Sequence, residues 1–190
     1  VSFRNPRATL PIGNVGSIMP DIKPITLREL KMKLAKLSDD DLTVDPFDCE
    51  EEEAEAISVF RLAAGKGDAD AMFNLGLCYR KGEGVEKNAL EAFRWFQLAA
   101  KQGGALAQCN FGSCYYLGEG VEKDEAEAVR WFQLAAAQGL AHAQHNLGFC
   151  YATGVGVVLD IAEAAALFEQ AAEQGHPGSK DFYDEVKQSL

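Results

Sequence analysis

The chain has 190 residues, with 18 basic and 29 acidic side chains giving a formal net charge of −11, and an apolar share of 47%. That length suits one ordinary core or a few stacked repeats, and no aliphatic run approaches the roughly 20 residues a membrane-spanning helix needs. Membrane insertion is therefore not expected, and the acidic balance disfavours nucleic acid as a partner.

From the N-terminus, residues 1–37 carry seven basic and two acidic side chains, whereas 38–55 carry ten acidic and no basic ones. The first 20 residues contain Arg4, Arg7, Ser and Thr but no acid, as does the region near an organelle-import cleavage site. Four prolines and no periodicity over 1–25 predict an extended arm, laid along a partner or folded back on the rest of the chain. Residues 26–37, TLRELKMKLAKL, predict an amphipathic helix: Thr26 and Glu29 have capping-box spacing, and Leu27, Leu30, Leu34 and Leu37 form a stripe. An acidic hinge over 38–50 follows, with Asp45-Pro46 and Asp48 suited to starting a helix.

Self-comparison then dominates. Asp68 to Gly103 and Gly104 to Gly139 are identical at 23 of 36 positions without a gap, and Leu140 to Gly175 matches the preceding unit at 19. A half unit, 51–67, precedes these, and 176–190 reads as a C-terminal capping helix. Each unit holds two helical runs separated by paired glycines such as Gly82 and Gly84. Asn88, Asp124 and Asp160, each with a Glu three residues on, predict capping boxes at the second helix. Gly67, Gly103, Gly139 and Gly175 predict left-handed stops. Gly76, Gly112 and Gly148 lie inside the first helix, where each costs about 1 kcal/mol against Ala. Their recurrence predicts close helix approach, with the alanine pairs at 63/64, 99/100, 135/136 and 171/172 doing the same on the second helix. The fold class expected over 51–175 is all-α: a right-handed α-solenoid of antiparallel helix pairs.

The pattern A-x-A-x-x-N-L-G-x-x-Y-x-x-G-x-G-V, followed by A-x-x-W-F-x-x-A-A-x-Q-G, resembles the Sel-1-like repeat, a relative of the tetratricopeptide repeat, over residues 52–175. Asn74, Leu75, Gly76, Tyr79, Gly82, Gly84, Val85, Ala92, Trp95, Phe96, Ala99 and Gly103 carry it. The third unit departs at Leu167, where Trp is the family's residue. The resemblance implies an adaptor holding other proteins in an assembly, with the first helix of each pair lining a concave groove.

Subtracting shared positions leaves one face of each first helix free to specify a ligand. These residues are Asp70, Phe73, Leu77, Arg80 and Lys81; Leu106, Cys109, Ser113, Tyr116 and Leu117; and His142, His145, Phe149, Ala152 and Thr153. Aromatics with few charges suit an apolar peptide of a protein partner. Coverage of part of this face by the chain's own arm is the alternative.

Other chemistry is poorly supported. Cys78, Cys114 and Cys150 recur at one place in successive helices, too far apart to bridge, so reduced core cysteines and a reducing compartment are expected. Cys109, His142 and His145 offer zinc-type ligands but no fourth. The Gly-Glu-Gly-Val turns lack the Lys-Ser/Thr and preceding strand of a phosphate loop. Trp95 and Trp131, with Phe96 and Phe132, read as core. No nucleophile with its base is evident, so no enzyme activity and no cofactor are expected. Two roles remain: reversible binding of a partner segment in the groove, or a permanent subunit of a larger assembly, an organellar one included, anchored by its arm.

Overall fold

The computed structural model describes residues 49–188, with side chains from Glu55 onward. The expected extended arm over 1–25, the amphipathic helix over 26–37 and nearly all of the acidic hinge over 38–50 lie outside the described residues. Among the described residues the fold is all-helical, with eight helices and no strand. α1 spans Cys49–Gly65; α2, α4 and α6, the first helices of the three units, span Ala69–Lys81, Ala105–Leu117 and Ala141–Thr153. α3, α5 and α7, the second helices, span Ala89–Lys101, Glu125–Ala137 and Ile161–Glu173, and α8 spans Ser179–Lys187. The boundaries advance in steps of 36, and each helix packs on its neighbours in sequence to form an α-solenoid.

Local chemistry sets these boundaries. Asn88, Asp124 and Asp160 accept from the backbone N–H of Glu91, Glu127 and Glu163 at 3.1, 2.9 and 3.0 Å. The reciprocal half of the expected capping box is replaced. The N-cap backbone N–H donates to the carbonyl of Tyr79, Tyr115 or Tyr151 at 2.8, 3.0 and 3.0 Å, so the tyrosine of each unit clips its own turn. Glu91 and Glu127 instead pair with Arg94 and Arg130 one turn on. Each first helix ends on a left-handed glycine, Gly82, Gly118 or Gly154, whose N–H donates to Cys78, Cys114 or Cys150.

The glycines inside the first helices have a packing cause. A Cβ on Gly76 would lie 2.5 Å from Phe96 Cε1, and on Gly112 and Gly148 within 3.0 and 3.1 Å of the Phe132 and Phe168 rings. All three phenylalanines are fully buried, each worth roughly 1.5–3 kcal/mol of apolar transfer. Close approach is thus as expected, but its partner is phenylalanine. Ala99, Ala135 and Ala171 are buried without supplying the atoms nearest the glycines. The tryptophans are also less central than expected: Trp95 and Trp131 are half-buried beside the phenylalanines. Trp131 sets its ring edge-on to Phe111 at 4.9 Å and donates to Glu127 at 3.0 Å. The Trp95 indole N–H is shielded and has no hydrogen-bond partner among the described residues.

One device fixes each unit on the next, and a second closes the unit on itself. Gly120 and Gly156 have φ of +73° and +69° and press against the backbone of Ala89 and Glu125, so no side chain fits at either. Glutamines tie the two ends of a unit together: Gln138 Nε2 donates to Gln108 Oε1 at 2.7 Å, and Gln174 Nε2 to Gln144 Oε1 at 2.7 Å, while Gln138 Nε2 also reaches the preceding unit at the Gly103 carbonyl, 2.9 Å away. At the C-terminal end α8 closes the stack, with Phe182 stacked on Phe168 at 5.3 Å and Val186 buried.

Candidate protein-binding groove

Each first helix is held on two sides. One side meets its own second helix at the glycine–phenylalanine contact, and the other meets the helix that precedes it in sequence, the second helix of the unit before. Runs of consecutive buried residues result, Ala71–Cys78 in α2 and Ala107–Cys114 in α4.

This sandwiching corrects the expected ligand face. Phe73, Leu77, Cys109, Ser113 and His145 are buried, as is Ala152. They fill seams within the molecule: Phe73 lies against Phe96 at 5.8 Å, and Asn146 Nδ2 reaches Cys109 Sγ at 3.7 Å. Ser113 Oγ donates to the Cys109 carbonyl at 2.9 Å. Variation at these positions matches one unit to the next, and in a single sequence such variation looks the same as variation that fits a ligand.

The remaining residues stay open. Asp70, Lys81 and Leu106 are exposed, and Arg80, Tyr116, Leu117, His142, Phe149 and Thr153 are half-buried. Arg80 is positioned by donation to Asn110 Oδ1 at 2.7 Å and lies 5.4 Å over the Phe96 ring, which ties α2 to α4. The equivalent place in α4 is Tyr116, beside Phe132 at 6.5 Å and under Lys123 Nζ at 5.7 Å. Burial is the main reason its phenol is pushed up to about 12. Phe149 meets Phe182 of α8 edge-on at 6.3 Å. The open residues thus follow one another along α2, α4 and α6, with apolar and aromatic character from Tyr116 to Phe149.

At the α6–α8 junction the structure gathers three imidazoles. His145 stacks on His176 at 4.4 Å, His142 meets His176 edge-on at 4.5 Å, and Ser179 Oγ lies 2.9 Å from His145 Nδ1 and 2.7 Å from His176 Nδ1. Burial, followed by the neighbouring imidazoles, pushes His145 down to about 4; burial and then His142 do the same to His176. Sequence reasoning paired His142 and His145 with Cys109 and missed His176. Repeat register carried the signal, because His176 occupies the place of Asp68 just before a first helix. Among the described residues no group of three or more His, Cys, Asp or Glu side chains is arranged to hold a metal ion. Cys78, Cys109, Cys114 and Cys150 are buried and form no disulfide among the described residues, and desolvation pushes the thiols of Cys109, Cys114 and Cys150 up to about 12. Those three are therefore poor nucleophiles.

Residues 69–104, 105–140 and 141–176, more than half of the chain, match the model of the Sel1 repeat. The chain belongs to the Sel1 repeat family. These Sel1 repeats begin one residue later than the units read from self-comparison. Sel1 repeat proteins are generally non-catalytic scaffolds for protein–protein interaction. Among solved structures, the array is similar to a Sel1 repeat protein from Oxalobacter formigenes, with 37% identity and a TM-score of 0.62, covering 68% of this chain and 97% of that one. It is also similar to a protective antigen of uropathogenic Escherichia coli strains displaying an SLR fold, with 28% identity and a TM-score of 0.70 over 85% of this chain and 32% of that one. Helicobacter pylori cysteine-rich protein B shares the fold, at 19% identity and a TM-score of 0.56, over 73% of this chain and 99% of that one. Among curated proteins, the rat (Rattus norvegicus) DAP3-binding cell death enhancer 1 is 49% identical over 37 residues, which are 20% of this chain and only 7% of that protein. No helix among the described residues is long and apolar enough to cross a membrane.

Proposed function

We propose that this Sel1 repeat protein is a non-enzymatic adaptor that holds an apolar segment of a partner protein against its first helices, inside a multi-subunit assembly. The observation that carries this reading is the open row Leu106, Tyr116, Leu117, His142 and Phe149 on helices where the variable positions Cys109, Ser113, His145 and Ala152 are buried. A row of partly exposed apolar and aromatic side chains on a rigid scaffold supplies anchors with little conformational entropy left to lose. The rat relative, named for binding another protein, supports a protein rather than a small molecule as ligand.

The test is the particle mass of the complex isolated gently from its source with tagged wild-type protein, beside Leu106→Asp and Tyr116→Ala variants. A smaller particle for both variants, with unchanged helix content, supports the groove. An unchanged particle sinks it. If deletion of residues 1–25 alone releases the partner, the protein is an arm-tethered subunit and the groove is not its main contact.

A further inference from the structure

The turn of the third unit departs from the other two in its side chains. Glu83, Glu86 and Lys87 in the first unit, and Glu119, Glu122 and Lys123 in the second, are replaced by Val155, Val158 and Leu159. Val158 is 84% exposed and Leu159 39%, although the paired glycines of all three turns share the left-handed conformation. The apolar patch continues onto α7 through Ala162 and Ala166, both exposed. Two charged copies of the turn adopt this backbone, so its folding does not call for aliphatic side chains. The same unit has also shed its positive charge. Ala166 stands at the place of Arg94 and Arg130, and no Lys or Arg occurs between Trp131 and Ser179, whereas Asp160, Glu163, Glu169 and Glu173 fall within the unit. Glu163 is exposed and forms no ion pair among the described residues, in contrast to Glu91 and Glu127 with their arginines. Of the neighbouring cations, Lys123 is paired with Glu125 at 2.7 Å, and Lys187 donates to the Tyr183 hydroxyl beside Glu169, further along α7. The end of α7 next to the patch is therefore acidic without compensation.

We propose that this patch seats the chain's own segment 26–37, TLRELKMKLAKL, which lies outside the described residues. The segment carries four basic side chains and one acidic, and on a helix Leu27, Leu30, Leu34 and Leu37 share one face with Lys31 and Lys33 on its two flanks. The leucines lie on Val158, Leu159, Ala162 and Ala166, and the lysines reach Asp160 and Glu163. Charge complementarity chooses this occupant: the same patch of a second copy would set Glu163 against like charge, and an acidic helix is repelled. Chain geometry permits the contact. The second helices all begin on the turn side of the stack, so the chain enters α1 at Cys49 from the side on which the patch lies. Residues 38–48 extend to about 36–40 Å, comparable with three units whose helices pack roughly 8–10 Å apart. The contact ties the N-terminal segment to the last unit and uses none of the groove residues, so failure of either reading leaves the other standing.

The experiment keeps the full chain. A photoreactive benzophenone amino acid replaces Ala35, beside the leucine face, in a mixture of isotope-labelled and unlabelled protein, and mass spectrometry locates the cross-links. They are expected on residues 155–166 of the same molecule. Amide exchange over 26–37 is expected to be at least about tenfold slower in the wild type than in the variant Val155→Glu with Val158→Glu and Leu159→Lys, and the difference should shrink as salt rises. Those three substitutions install side chains that the first two turns already carry, and unchanged exchange in α6 and α7 checks that the fold is intact. Lys31→Glu with Lys33→Glu should abolish the cross-links and the slowed exchange alike. Cross-links on Tyr116 and Phe149 instead, on the acidic run 38–55, or between labelled and unlabelled copies overturn the proposal. So does exchange over 26–37 that the turn variant leaves unchanged.

Discussion

An extra methyl group at Gly112 would enter the space held by the Phe132 ring and the Ala128 carbonyl, whereas at Gly103 it would meet open space but a φ of +94°. The two positions separate steric from conformational strain. Gly112→Ala should lower stability by about 1–3 kcal/mol through overpacking, and Gly103→Ala by about 1–2 kcal/mol through the left-handed backbone alone. Urea midpoints of the two variants check this, and Phe132→Ala on the Gly112→Ala background should recover nothing, because its cavity costs about 3–5 kcal/mol. The histidines give a pH signature. His145 and His176 are held near 4 in the folded chain against an ordinary 6.5, so the unfolded chain takes up protons first as pH falls. Stability is fully present above about pH 6.5 and is lost as pH drops toward 4, by roughly 3 kcal/mol for each histidine. His176→Gln should flatten that slope, measured by denaturation between pH 7 and pH 4. At this scale the sequence was only half legible. Gly76, Gly112 and Gly148 announced a close approach by recurring, but whether Phe73 or His145 faces solvent depends on how far one unit is rotated over the next, and no local signal encodes that.

Among elements, boundaries were the easiest feature to read, because caps and stops are local chemistry. Asn88, Asp124 and Asp160 begin second helices as their spacing predicts, and the left-handed glycines end them. The glutamates were misassigned for a reason the sequence conceals: the N-cap N–H is already taken by a tyrosine carbonyl from nine residues earlier. Removing the cap and removing the glutamate should therefore differ. Asp124→Ala should cost about 1 kcal/mol, and Glu127→Gln no more than a few tenths, since only an exposed ion pair is weakened while the amide oxygen still accepts from Trp131. Thermal melts of the two variants decide. α8 shares buried contacts with α6 and α7 through Phe182, Val186 and the histidines, so a chain ending at Gly175 should show faster amide exchange in α6 and α7 and little change in α3.

For the whole molecule, stability is the sum of similar units and similar seams, with no disulfide among the described cysteines. Amide protection should be highest in α3 to α6 and fall toward both ends, and reductant should leave the thermal midpoint unchanged. The solenoid was legible from the repeat, since a 36-residue period in helix pairs has few other ways to bury its apolar faces. The exposure of Leu62, Leu98 and Leu134 was not, because a leucine at a shared position reads as core until the helix is turned. The seams carry a further consequence. Gly120 rests on the backbone at Ala89 just as Gly156 rests on that at Glu125, and within their own units Gln138 and Gln174 meet Gln108 and Gln144 by the same bond. A copy of residues 104–139 inserted after Gly139 would find the glycine–backbone contact it needs already present above and below it, and would carry its own glutamine bond. Length in this molecule is consequently a free parameter, adjustable by whole units during descent or by hand without redesign of any joint.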